Sequence, residues 1–228
     1  MKKEGSGREE AESGPASGEF GELLKFTLTG YLGGLALAGV LDWLGYAKSA
    51  LGGFFVRTLS GEGDGILEGF YAMRQRLRKA RRSMAEAYGW GKLLGVLAGG
   101  IIDLLSRLAG IDVGGIQGFY IPYFYAMSDQ IGANISGLVY LKRIKKAWGA
   151  ALRAYFRHPV MLSSLLVLLL VPFGLLAARV LGFSPSSQVY AALETIAANI
   201  CWVPPLVGWL SERRSRGKHA GRAPRDEE

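Results

Sequence analysis

Four carboxylates fall inside or at the edge of long apolar stretches: Asp42, Asp103, Asp129 and Glu194, joined there by the amides of Gln130, Asn134 and Asn199. An acid surrounded by hydrocarbon is costly unless it is protonated, paired with a cation or turned toward water. Carboxylates and amides converging between helices therefore mark a candidate path for a cation, a proton or a small solute. Asp129 is the hardest of them to explain structurally, because Gln130 and Asn134 accompany it in an aromatic-rich stretch. The others have simpler roles open to them. Asp103 and Arg107 stand four residues apart on one helix and would pair, while Asp42 and Glu194 lie near span ends where they would stay hydrated.

Catalytic patterns are thin. Neither His158 nor His219 sits where it would do acid–base work within a span, no HExxH or phosphate loop is present, and no Ser/His/Asp order is convincing. The single cysteine, Cys201, rules out an intrachain disulfide and a cysteine metal cluster; within its apolar stretch it reads as a packing residue. No metal and no cofactor is expected.

The elements that must hold these residues are apolar helices. Val160 to Ala178 contains no ionisable side chain, about the length that crosses a bilayer at roughly 1.5 Å per residue. Half of the 228 residues are apolar and 33 are glycine, and charge is segregated into runs rather than interspersed. The expected fold is all-α, a polytopic membrane bundle with spans near 23–44, 93–110, 116–141, 160–181 and 189–210. Residues 1–20 form a polar, Gly/Ser/Glu-rich tail and 211–228 a basic one. The stretch from Leu51 to Met73 carries Arg57, Glu62, Asp64 and Glu68, each costing about 2–3 kcal/mol near a bilayer centre. Gly61 to Gly65 therefore reads as a loop, and five crossings with the N-terminus outside are preferred over six with it inside.

Basic amphipathic helices are expected near 66–88 and 141–157, lying on lipid. Arg74, Arg78, Arg81 and Arg82 of the first, and Lys142, Arg143, Lys145 and Lys146 of the second, would meet anionic headgroups. Together with the basic tail they place those segments, and the C-terminus, on the cytoplasmic side of the cell membrane. Beside apolar spans they argue for lipid rather than nucleic acid.

Glycine recurs every fourth residue at Gly30 and Gly34, at Gly91, Gly95 and Gly99, and at Gly110, Gly114 and Gly118. Such stripes let helix backbones approach closely, within the chain or in a homo-oligomer or larger membrane complex. Three functional readings follow: a small channel or transporter, a non-catalytic membrane subunit or scaffold that binds helices, headgroups or a cytoplasmic partner, and a lipid-modifying enzyme.

Overall fold

The computed structural model describes residues 18–78, 82–110, 127–182 and 200–220. Among these residues the chain is all-helical, with no strand. The helices are α1 (Glu19–Trp43), α2 (Ala50–Arg78), α3 (Met84–Leu108), α4 (Ser128–Lys145), α5 (Trp148–Arg157), α6 (Pro159–Val180) and α7 (Val203–Ala220). A short 3-10 turn, Tyr46–Lys48, links α1 to α2.

Gly61 to Gly65 is helical, against the loop expected there, because α2 runs unbroken through it. Isolated glycines and acids disfavour helix locally, but tertiary packing overrides that preference. A Cβ on Gly63 would lie 2.7 Å from the Gly30 carbonyl oxygen and 3.1 Å from Gly34 Cα, so the missing side chain is what lets α1 and α2 touch. The amphipathic helix expected at 66–88 is two helices: α2 ends at Arg78, and Ser83 opens α3 by accepting the Glu86 N–H at 3.1 Å. Ser-x-x-Glu at this point is a helix-start signal. The segment 141–157 likewise divides, since Lys146 takes a left-handed conformation with φ 59° between α4 and α5.

One end of the bundle gathers the starts of α1 and α3 with the ends of α2, α4 and α7. Tyr71 donates to the Glu19 carbonyl (3.1 Å), Gln75 to Glu22 (3.0 Å) and Tyr140 to the Arg82 carbonyl (3.1 Å). The Phe20 N–H donates to Glu212 Oε1 (3.2 Å). Arg74, Arg78 and Arg82, Arg143, Lys145 and Lys146, and Arg213 and Arg214 all lie exposed there, with Lys142 partly so. Arg81 lies outside the described residues.

Beside an apolar core that includes Phe20, Leu23, Tyr88 and Met161, burial runs opposite to that of a water-soluble bundle at many positions. Leu32, Leu37 and Val40 of α1, Leu94, Ile101 and Ile102 of α3, and Leu166, Leu170 and Phe173 of α6 all point outward. Glu62, Asp64, Glu68, Glu86, Lys92, Asp129 and Gln130 are buried. Among the described residues α1 is the one helix both long and apolar enough throughout to cross a membrane, and Pro159–Leu170 is a shorter apolar stretch. Within α2 and α3, the charges that lower the overall apolarity include Asp64, Glu68 and Lys92, all of which face the interior.

His158 joins α5 to α6, its ring 6.3 Å from that of Phe20 and its Nδ1 buried without a hydrogen-bond partner among the described residues. Burial lowers its pKa from 6.5 to about 4. An accessible, unfolded-state imidazole therefore takes up its proton first as pH falls, and the fold loses stability between about pH 6.5 and 4. The melting temperature in detergent is expected to fall across that window, and His158→Gln to fall less; equal slopes would remove His158 as the cause.

Candidate functional site

The interior charges meet around Lys92. Its side chain is 0% exposed, and Nζ reaches three carboxylates: Asp129 Oδ2 at 2.9 Å, Glu68 Oε1 at 3.1 Å and Asp64 Oδ2 in close contact. Helical spacing produces this convergence. Asp64 and Glu68 are four residues apart on α2, so they share the face turned toward α3, while Asp129 enters from the first turn of α4. Thr27 of α1 donates to Glu68 Oε1 at 2.7 Å, and Ser128 donates to Glu62 Oε1 at 2.8 Å. Glu62 Oε2 and Glu68 Oε2 are buried with no hydrogen-bond partner among the described residues. Three buried carboxylates therefore contact one ammonium, with Glu62 buried beside Ser128 as a fourth acid nearby, an excess of negative charge if all are ionised.

Glycines set the depth of this cluster. A Cβ on Gly95 would lie 2.8 Å from Asp129 Cα, and one on Gly99 would lie 2.8 Å from Ser128 Cβ. The start of α4 is thus seated on α3 at Gly95 and Gly99, about 20 Å along that helix at 1.5 Å per residue. Helix α7 also starts beside the cluster, since Gln130 Nε2 donates to the Cys201 carbonyl at 3.5 Å. Two helix N-termini, α4 and α7, therefore begin at this depth, although the first turn of α7 offers no free N–H: Val203 and Leu206 donate to the Ile200 and Trp202 carbonyls, and Pro204 and Pro205 have none.

A second polar group continues from Asp129 toward the basic end. Gln130 Oε1 accepts from Tyr88 and from Ser164, each at 2.9 Å, and its backbone N–H donates to Asp129. Asn134 Nδ2 donates to Ser164 Oγ (2.8 Å) and to the Gln130 carbonyl (2.7 Å), while Asn134 Oδ1 accepts from Tyr155 of α5. The result is a hydrogen-bonded series from Asp129 to Tyr155, tying α3, α4, α5 and α6 together.

Of the residues expected from sequence to form the site, Asp129, Gln130 and Asn134 come together here. Asp42 does not: it is exposed at the end of α1, beyond the last buried residue of that helix, Ala38. Helix α3 carries Asp103, whose side chain lies outside the described set, and Glu194 and Asn199 also lie outside the described residues. Lys92, Asp64, Glu68 and Glu62 escaped sequence reasoning. The available signals were the four-residue spacing of Asp64 and Glu68 and a single lysine beside Gly91 in a glycine stripe. Gly30 and Gly34 pack on α2, and Gly91, Gly95 and Gly99 on α4, so both stripes find their partner within the chain. Gly110 instead follows the end of α3 with φ 68°, in open space. Gly114 and Gly118 lie outside the described residues.

No protein-family model, curated protein or solved structure matches this chain.

Proposed function

We propose that this chain is a multi-pass protein of the cell membrane that carries a proton or a small monovalent cation past Lys92 and its carboxylates. The observation that carries the reading is the inverted burial: four acids and a lysine enclosed among helices whose leucines and isoleucines face outward. Water-soluble proteins bury the leucines and leave such charges outside, whereas a bundle in lipid must do the reverse.

The basic end is the cytoplasmic side by its lysines and arginines. Because α1 starts there and α2 spans the bundle, the reading favours six crossings with the N-terminus cytoplasmic over the five preferred from sequence. Lys92 then lies about 12 Å along α3 and Asp64 about 21 Å along α2 from that end, around the middle of a bilayer about 30 Å thick in hydrocarbon.

The excess of carboxylates over ammonium supports cation chemistry. A buried unpaired carboxylate is strongly disfavoured, so a cation or proton arriving between α2 and α4 would neutralise it and release Lys92 from one partner. Asp129 is the carboxylate suited to this exchange, because it rides on the first turn of α4 while Asp64 and Glu68 belong to the continuous α2. Movement of Lys92 between the two helices is the proposed switch, and the start of α4 is the element it loosens, as in transporters built on broken helices.

Reconstitution into liposomes tests this. An imposed pH or cation gradient should be dissipated by the protein, and Asp129→Asn should abolish that flux while leaving the protein monodisperse. Unchanged flux would reject the role of Asp129. A second reading, a non-catalytic subunit of a membrane complex, is favoured by one observation: Gln130 and Asn134 are satisfied by Tyr88, Ser164 and Tyr155 in a closed network. Absence of any flux, with stable partners co-purifying in mild detergent, would favour that reading.

A further inference from the structure

Helix α5 shows three different faces. Ala151 and Tyr155 turn into the bundle. Trp148, Leu152 and Phe156 are exposed at 55%, 43% and 54%, the aromatic-rich pattern that seats a helix at a membrane surface. Ala150, Arg153, Ala154 and Arg157, spaced i, i+3, i+4 and i+7, line an open groove of about 540 Å³ against the end of α4 and the start of α6. Leu141 and Pro159 give that groove apolar walls, Lys145 adds a third cation, and no acidic residue lines it.

We infer that this groove binds the phosphodiester headgroup of an anionic phospholipid. Arg153 Nε is held by the Gly149 carbonyl at 3.3 Å, which fixes one guanidinium at the rim. Two arginines four residues apart on one helix face suit a phosphate, which accepts from planar guanidinium groups. The apolar walls and the outward leucines of adjoining α6, Leu162 and Leu166, continue the site for acyl chains. That continuity favours a lipid over a free phosphate. The inference rests on the membrane reading given above but not on transport.

The test uses full-length protein purified in detergent, with its melting temperature followed on adding phosphatidylglycerol, phosphatidylcholine or inorganic phosphate. Phosphatidylglycerol is expected to raise the melting temperature by about 5 °C more than phosphatidylcholine. The difference should vanish in Arg153→Gln/Arg157→Gln and persist in Arg213→Gln/Arg214→Gln, which alters exposed arginines elsewhere on the basic end. Equal shifts with the two lipids, or a full shift retained in the groove variant, would overturn the inference. A full shift from inorganic phosphate alone would overturn it in favour of a free anion. A protein that stays monomeric in buffer without detergent would instead reject the membrane reading itself.

Discussion

Lys92→Met is expected to be the most damaging single substitution in the chain. The ammonium touches Asp64, Glu68 and Asp129 with no solvent to replace it, since Lys92 is 0% exposed. Removing one partner of a buried ion pair costs about 3–5 kcal/mol, because the remaining charge stays buried and uncompensated. Methionine conserves most of the volume and all of the apolar stem, so the loss would reflect charge rather than a cavity. Uptake of protons by the stranded carboxyls limits the penalty, which makes the variant more stable at low pH relative to wild type. The pairing account makes a further demand. Lys92→Met combined with Asp64→Asn, Glu68→Gln and Asp129→Asn should recover much of the stability, since a neutral hydrogen-bonded set needs no counter-ion. Melting in detergent at neutral pH decides between outcomes. A Lys92→Met protein within about 2 °C of wild type, below the shift expected from 1 kcal/mol in a chain of this size, would show that the ammonium does not hold the cluster.

That cluster also marks where sequence reasoning stopped short. The apolar stretch from Val160 and the stretch that became α1 were legible because uniform apolarity over that length is a one-dimensional signal. Asp129, Gln130 and Asn134 were legible for the same reason, as polar exceptions in apolar surroundings. Asp64, Glu68 and Lys92 were not, because each one's cost depends on a partner from another helix. Counted separately, the acids of α2 argued against a crossing and for a loop, and Lys92 was one lysine beside Gly91 with no visible partner. Once α2 and α3 pack together, Lys92 offsets part of the charge of Asp64 and Glu68, so a penalty counted residue by residue overstates the cost of a continuous helix there. The glycine stripes showed an intermediate case: their spacing announced close packing, while the identity of the facing helix depended on the turn at Tyr46–Lys48 and the seat of α4 on α3.

Gly95→Leu is expected to separate α4 from α3 and, with it, Asp129 from Lys92. At Gly95 even a Cβ would meet Asp129 Cα at 2.8 Å and the Ser128 carbonyl carbon at 2.6 Å, contacts that real side chains do not make and that backbone cannot yield cheaply. Overpacking of a tight interior costs about 1–3 kcal/mol for added methylenes, and a full leucine against backbone should exceed the upper end of that range. Gly63→Leu makes the matching prediction for α1 and α2, where the nearest atoms belong to Gly30 and Gly34. Gly39→Leu supplies the control, since nothing lies within 4 Å of a side chain there. On an exposed helical surface, replacing glycine by leucine gains up to about 1 kcal/mol of helix propensity, so Gly39→Leu should be neutral or slightly stabilising. The comparison distinguishes internal packing from assembly. If the stripes served contacts between subunits, Gly95→Leu would lower the oligomeric state while the monomer kept its melting temperature. If they hold the bundle together, the monomer itself melts earlier, because the helix carrying Asp129 no longer has a seat.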